Sequence, residues 1–153
     1  MRADHSVRRV ERRDVEAWST MRARLWPEAP SDDLFHEATA FITGAPETLL
    51  AAVFLAQDER AAPLGFLELS VRAFSDGCDS MPIPHVEGWY VEPVARDLGV
   101  GRALMRAAEE WAQERGFTEL ASDTEVHNEA SQHAHQHCGF QEVDRLVKFR
   151  KAL

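Results

Sequence analysis

The sequence predicts an α/β fold in one domain covering residues 1–153. The first indication is an apolar, β-prone run at residues 85–91, which leads through two closely spaced glycines into a helical pattern that ends at Gly116. The second is a pair of apolar segments, residues 48–57 and 63–73, which a polar turn joins into a hairpin. A chain of 153 residues also suits a single hydrophobic core.

The segment before the hairpin predicts one strand and two helices. Residues 6–10 form a short first strand, and Asp14 then caps a helix whose apolar positions recur at helical spacing. This helix ends near Trp26, because a residue that precedes a proline leaves the helical region. Ser31 begins a second helical pattern, which the glycine and proline at residues 44–46 interrupt.

The part of the chain after the Gly116 stop predicts one more helix between short strands. Residues 119–123 form a short strand, and Asn128 caps a helix that Gly139 ends. A polar turn separates two final strands, which are predicted at residues 140–143 and 146–150.

Composition limits the classes of partner. A net charge of −9, from 26 acidic and 17 basic residues, argues against a surface for nucleic acid or anionic membranes. The same charge would attract a cationic substrate, although it also serves simply to keep a protein in solution. No apolar run approaches the roughly 20 residues of a membrane helix, and residues 1–5 lack the apolar part of a secretory signal. Cys78 and Cys138 lack metal-type spacing, so we expect free thiols in a cytoplasmic protein.

Residues 96–101 read Arg-x-x-Gly-x-Gly between the central strand and its helix. Two glycines let the backbone turn tightly and leave its N–H groups uncovered. Those groups stand at the positive end of a helix, where a diphosphate binds readily. The spacing matches neither the dinucleotide-binding Gly-x-Gly-x-x-Gly pattern nor the P-loop. The alternative is an ordinary glycine-rich turn.

This motif, with Asn128 and Gly139-Phe140 downstream, resembles the GCN5-related N-acetyltransferase superfamily over nearly the whole chain. The resemblance implies a mixed, mostly antiparallel sheet flanked by helices, with acetyl-CoA as cosubstrate and no metal. In that family the loop binds the pyrophosphate of coenzyme A, and the central strand and an Asn contact the remaining part of the coenzyme. The implied coenzyme-binding residues are Trp89, Tyr90, Val91, Asp97, Leu98, Gly99, Val100, Gly101, Arg102 and Asn128.

Two carboxylates are candidates for chemistry on an amine. Glu87 lies inside the apolar central strand, where a carboxylate costs free energy unless it is paired or used. Asp123 lies at the end of the next strand, and the carboxyl ends of neighbouring strands are where sites of α/β proteins gather. Together they can hold a substrate ammonium and help to deprotonate it. Alternatively, Glu87 points out of one sheet face and Asp123 is a turn residue.

A closer resemblance is to aminoglycoside 6'-N-acetyltransferases of type I. It rests on Leu25-Trp26-Pro27, on Gly77-Cys78-Asp79-Ser80 and on Ala121-Ser122-Asp123-Thr124. The resemblance implies a homodimer in which Asp144 reaches the cleft of the neighbour. Phe74 stands where that family often has Tyr, which removes one hydroxyl contact. The implied acceptor-binding residues are Trp26, Phe74, Glu87, Asp123 and Asp144; for Trp26, core packing is the alternative.

His135 stands four residues before Gly139, where many enzymes of this superfamily have a Tyr that protonates the leaving thiolate. By resemblance His135 takes that role, and the alternative is a packing or local hydrogen-bonding role. His133 and His137 are each two residues away, so the three do not align on one helix face as a metal site would require.

The function predicted from the resemblance is direct acetyl transfer from acetyl-CoA to the 6'-amine of an aminoglycoside, which confers antibiotic resistance. Two alternatives stay open. One is an acetyltransferase for another amine, such as a polyamine or a protein N-terminus. The other is a module that binds coenzyme A or the antibiotic without turnover.

Overall fold

Five strands form one sheet in the order β1-β2-β3-β4-β5 in the computed structural model, which describes residues 4–153. Neighbouring strands from β1 to β4 are antiparallel, and β5 runs parallel to β4. The predicted mixed, mostly antiparallel sheet is therefore confirmed. In chain order the elements are β1 His5–Arg9, α1 Val15–Leu25, α2 Ser31–Thr43, β2 Leu50–Asp58, β3 Pro63–Arg72, β4 Ile83–Val91, α3 Val100–Glu114, β5 Ala121–Ser122 and α4 Glu129–His137.

One face of the sheet packs against α3. Helix α3 buries one side, and the strand residues that meet it alternate along β2 and β3, as a period of two requires. The helix residues in this core include Leu104, Met105 and Ala108, and the strand residues include Phe54 and Leu67. This packing fixes the start of α3 beside the end of β4.

The opposite face packs against α1 and α2 and contains a buried ion pair. Glu68 of β3 and Arg22 of α1 are both almost fully buried, and Arg22 Nε lies 2.6 Å from Glu68 Oε1. Trp18 Nε1 donates a hydrogen bond of 2.9 Å to the same oxygen. Arg22 also donates to the carbonyl of Leu34 (2.9 Å) and to Glu37 (2.8 Å). The guanidinium therefore ties both helices to the sheet.

Asp14 precedes α1 but does not cap it as predicted. Its carboxylate turns backward, accepting the N–H of Glu11 at 2.7 Å and two hydrogen bonds from Arg8 at 2.7 and 2.8 Å. Arg8 holds the pKa of Asp14 below its usual range. The carboxylate thus closes the short turn Arg12–Asp14 and joins it to β1, because the charged partner outcompetes the helix N–H groups.

The two final strands predicted at residues 140–143 and 146–150 are wrong for this chain. Residues 140–153 contain no helix or strand, and most of them are exposed. Strand β5 is only two residues long, and the sheet offers this segment no strand partner among residues 4–153. Its large apolar side chains therefore stay in solvent, with Phe149 92% exposed and Val147 79% exposed. No helix in residues 4–153 has both the length and the apolar character to cross a membrane.

Candidate active site

Strands β4 and β5 diverge after two residue pairs. They pair only at His85 with Ala121 and at Val86 with Ser122, whereas β4 stays paired with β3 as far as Val91. On the side of β5, the backbone of the last residues of β4 is therefore left without a strand partner. Such backbone N–H and C=O groups need another partner, and a bound ligand can supply one.

An open groove of about 580 Å³ lies at this divergence, within the range of small-molecule sites. Its floor is the start of α3, where Gly99 is the N-cap with a φ of +86°. The first N–H groups of a helix have no partner within it, so they and the helix dipole favour an anion here. The lining residues are Trp89, Asp97, Leu98, Gly99, Gly101, Arg102, Ala134, His137 and Cys138.

Replacing Gly99 by Ala is expected to weaken coenzyme binding. A side chain at a φ of +86° costs ~1–2 kcal/mol, so the loop will shift its N–H groups away from the groove. We expect KM for acetyl-CoA to rise several-fold. Gly116→Ala is the matched control, because Gly116 has a φ of +83° beyond the other end of α3. Both variants should lose similar thermal stability, and an equal KM in both would contradict this role for Gly99.

Most of the residues predicted to bind the coenzyme lie around the groove, but the side chains of Asn128 and Tyr90 also have structural contacts. Asn128 caps α4, its Oδ1 accepting the N–H of Ser131 at 3.1 Å, which leaves the carboxamide N–H groups for other partners. The ring of Tyr90 packs into the core on the α1 side, so only its backbone can face the groove. Val91 accepts a hydrogen bond from Arg96 Nε at 3.0 Å, which fixes the loop before α3.

Glu87 is the extra residue of a β-bulge. Glu68 pairs with Gly88 and Leu69 pairs with Val86, so Glu87 has no opposite residue on β3. A bulge breaks the alternation of side chains and redirects one of them. Val86 and Trp89 consequently pack on the α3 side, while Gly88 faces Trp26 on the other side.

The carboxylate of Glu87 is held by two side chains of β3. Arg72 donates two hydrogen bonds of 2.8 and 2.9 Å, and Ser70 Oγ donates one of 2.5 Å. Burial acts to raise the pKa of Glu87, but these donors outweigh it and hold the pKa below the usual range. Glu87 is therefore charged at neutral pH.

His85 stands between the two predicted carboxylates and was not singled out from the sequence. Its Nδ1 lies 3.5 Å from Glu87 Oε1, and its Nε2 lies 3.5 Å from Asp123 Oδ2. The neighbouring His85 lowers the pKa of Asp123, against a smaller opposing effect of partial burial. One signal was available: a histidine two residues before Glu87, inside an otherwise apolar strand, needs polar partners.

Trp26 closes the site on the α1 side. Its Cη2 lies 2.8 Å from the place where a side chain at residue 88 would begin, so the ring fits only because Gly88 has none. The guanidinium of Arg22 lies 5.0 Å from the ring centroid, and the ring of Phe66 meets it edge to face at 6.4 Å. Trp26 is half-buried, so it is part of the edge of the core and also covers Gly88, the residue after Glu87.

Phe74 and Asp144 lie outside this cluster. Phe74 is 61% exposed in the loop after β3, and that loop is anchored by Glu119, which accepts the N–H groups of Asp79 and Ser80 at 3.0 and 2.6 Å. Asp144 accepts the N–H of Arg145 at 2.7 Å in the exposed C-terminal segment. The structure thus brings Glu87 and Asp123 together around His85 and places Trp26 against the neighbouring Gly88, whereas Phe74 and Asp144 lie in exposed segments.

Both ring nitrogens of His135 are engaged. Nδ1 lies 2.7 Å from the carbonyl oxygen of Ser131, which can only accept, so Nδ1 carries the proton. Nε2 then accepts the hydroxyl of Ser122 at 2.7 Å. The ring meets Trp89 edge to face at 5.2 Å, beside the groove. Ser122, which the sequence did not single out, thus has its hydroxyl oriented by His135.

In residues 4–153, no group of three or more His, Cys, Asp or Glu side chains is arranged to hold a metal ion.

Comparisons with known proteins agree with this geometry. The model of the Acetyltransferase (GNAT) family matches residues 13–140. Aminoglycoside N(6')-acetyltransferase type 1 of Klebsiella aerogenes is 45% identical over 147 residues, covering 96% of each chain. The protein of the same name from Stenotrophomonas maltophilia is 39% identical, covering 97% of this chain and 94% of that one. The structure of AAC(6')-Iy in complex with the bisubstrate analogue CoA-S-monomethyl-acetylneamine superposes with a TM-score of 0.88 at 33% identity, covering 97% of this chain and 99% of that one.

Proposed function

Because the chain belongs to the acetyltransferase (GNAT) family, we propose that it transfers the acetyl group of acetyl-CoA directly to the 6'-amine of an aminoglycoside. The observation that carries the proposal is the pair of carboxylates, Glu87 and Asp123, on either side of His85 where β4 leaves β5. An enzyme that modifies such an antibiotic confers resistance to it. We assign the whole activity to one domain, residues 1–153.

Acetyl-CoA is proposed to lie along the groove between β4 and α4. Its pyrophosphate takes the uncovered N–H groups at the start of α3, in the loop from Asp97 to Arg102. The pantetheine arm runs beside the unpaired backbone from Trp89 to Val91 and reaches the carboxamide of Asn128. The lining of the groove and the divergence of β4 from β5 support this placement.

The acceptor is proposed to lie on the other side of the thioester, between Trp26, Phe74 and the two carboxylates. A charged Glu87 and Asp123 hold the ammonium groups of the polycation, and the net charge of −9 favours its approach. The amine must lose a proton before it attacks. A backbone N–H of β4 stabilises the oxyanion. The second proton of the attacking amine passes through the hydroxyl of Ser122 to Nε2 of His135, and the imidazolium then returns a proton along the same hydrogen bond to the leaving thiolate.

Free-thiol release from acetyl-CoA tests the proposal. Purified protein should turn over with tobramycin or kanamycin and far more slowly with spermidine. Turnover with spermidine alone would identify a polyamine acetyltransferase, and no turnover with any acceptor would refute the assignment. Mass and NMR spectra of the product should place the new acetyl group on the 6'-nitrogen.

We also propose a homodimer built through residues 141–153. The segment exposes Val143, Leu146, Val147 and Phe149, and apolar side chains exposed close together in one segment support a contact with a second copy. A second copy of the sheet can supply the strand pairing that this chain lacks, and Asp144 would then reach the neighbour's acceptor site. Both cysteines are free, in keeping with our further proposal of a cytoplasmic location.

Introducing charges into this segment is expected to separate the dimer. Val147→Asp with Phe149→Asp should give a monomer in sedimentation velocity, because two carboxylates would have to be buried at the interface. The matched control is Lys151→Asp, a charged substitution at an exposed position of the same segment, which should leave the dimer intact. A monomeric wild-type protein would contradict the proposal.

A further inference from the structure

We propose that His85 takes up the proton that the acceptor amine loses, receiving it through Glu87, while Asp123 holds the imidazole in place. The inference rests on the proposed function and names a residue for its first chemical step. His85 would not touch the substrate, so it is a positioning and proton-storing residue behind Glu87.

The first support is an unsatisfied buried nitrogen. His85 is 1% exposed, and within residues 4–153 its Nδ1 has no hydrogen-bond partner. Leaving such a group unpaired costs ~1–3 kcal/mol, so its presence calls for an explanation. Nδ1 is directed toward Glu87, at 3.5 Å from Oε1, rather than toward a backbone group. A lone pair at Nδ1 is then open to a proton from that side.

The second support is the placement of Asp123. The two carboxylates lie equally far from the ring, but only Asp123 hydrogen-bonds it, at Nε2, whereas Nδ1 has no hydrogen-bond partner. This favours the tautomer with its hydrogen on Nε2, which leaves Nδ1 as the base. Once Nδ1 is protonated, the imidazolium donates toward a carboxylate on each side. The same division of labour, with a carboxylate behind a histidine base, operates in the catalytic triads of hydrolases.

The third support is that Glu87 is poorly suited to keep a proton. Arg72 and Ser70, both on β3, bind its carboxylate and lower its pKa. Asp123 faces the same ring from the end of β5, with Arg72 and Lys148 acting on it electrostatically. A proton taken by Glu87 is therefore poorly held there, and the unpartnered Nδ1 of His85, 3.5 Å away, can accept it.

The proton balance closes over one turnover. An N–H bond of the substrate ammonium breaks and a bond from hydrogen to Glu87 oxygen forms; that bond then breaks as Nδ1–H forms. The free amine attacks the thioester, and its second proton leaves with the thiol of coenzyme A. After the product departs, the imidazolium returns its Nδ1 proton through Glu87 to water, which restores the starting tautomer.

The test is the pH dependence of kcat in His85→Gln and His85→Phe, which remove the base and keep a side chain of similar size. At neutral pH we expect kcat to fall by roughly 10²-fold, the ordinary contribution of a general base. The deficit should shrink as pH rises, because the amine then deprotonates without help. KM for acetyl-CoA should stay unchanged. His36→Gln, an exposed histidine of α2, is the matched control and should behave as wild type.

Two outcomes would overturn the inference while leaving the proposed function intact. One is a wild-type kcat profile in both variants. The other is an equal loss at every pH, which indicates a merely structural role. A wild-type protein that acetylates no aminoglycoside overturns the proposed function itself, and the inference with it.

If neither variant folds, 15N NMR of the wild-type histidines decides. The His85 ring nitrogens, identified by their change in Asp123→Asn, should shift when tobramycin binds, because the bound ammonium then shares its proton with Nδ1 through Glu87. Ring-nitrogen shifts that do not respond to tobramycin would show that His85 exchanges no proton, and the inference would be wrong.

Discussion

Replacing Glu87 by Gln together with Asp123 by Asn is expected to lower kcat/KM for an aminoglycoside by roughly 10³-fold, within the range for loss of acid–base catalysis. The variant keeps the shape of both side chains and removes the two negative charges that face His85. The substrate ammonium then has no negative charges to bind it, and Glu87 can no longer accept its proton. KM for acetyl-CoA should be unaffected, because the coenzyme groove lies beyond the divergence of the strands.

The matched control removes two negative charges elsewhere. Glu110→Gln with Glu114→Gln changes the exposed face of α3 and gives the same net charge as the site variant. Initial rates of thiol release should place the control near wild type. Equal losses in both would mean that overall charge, not the site, draws the substrate. An unchanged kcat/KM in the site variant would refute the assignment of Glu87 and Asp123.

The lowered pKa values of Glu87 and Asp123 determine how kcat/KM should change with pH. The pKa values of Glu87 and Asp123 are both lowered, so both stay charged across the neutral range. Their contribution to kcat/KM should be lost only as pH falls below the ordinary carboxyl range, about pH 4. A loss of activity nearer neutral pH in the wild-type enzyme therefore points to a group other than these two carboxylates.

The sequence predicted the parts of the fold that local patterns determine. The run at residues 85–91, the glycine loop and the helix ending at Gly116 all appear, because strand propensity, turn glycines and helical periodicity act over a few residues. The end of α1 at Trp26 follows from the proline after it. Glu87 could be chosen because a charge inside an apolar run is costly, and Asp123 because it follows a strand where sites of α/β proteins gather.

The sequence could not predict what depends on pairing between strands. The bulge at Glu87 is a mismatch of register between β3 and β4, and neither strand alone contains it. His85 acquires its second carboxylate only because β5 pairs beside it. The final strands at residues 140–143 and 146–150 were predicted from β-prone composition, which does not specify a partner. The same holds for Glu68, which pairs with Arg22 from a helix 46 residues away in the chain.

Replacing Arg22 by Met is expected to cause the largest loss of stability, about 3–5 kcal/mol in the free energy of unfolding, because it leaves a buried charge without its partner. Glu68 is 1% exposed and would keep only the N–H of Trp18. Burial already raises the pKa of Glu68, against the effect of Arg22, so the pKa will rise further in the variant. The Arg22 contacts to Leu34 and Glu37, which fix α2, would be lost as well.

The loss of unfolding free energy in Arg22→Met should depend on pH, which a loss of packing alone would not cause. A carboxyl group whose pKa is raised on folding contributes stability below its unfolded pKa, about 4.3, and that contribution is lost as pH rises through the folded pKa. Urea unfolding should therefore show the deficit of Arg22→Met shrinking as pH is lowered from neutral. The double variant with Glu68→Gln should recover most of the loss at neutral pH, since a neutral amide still accepts from Trp18 and no charge is buried. A deficit that is constant with pH, or a double variant no more stable than the single one, would mean that Arg22 stabilises the fold by packing and not by compensating Glu68.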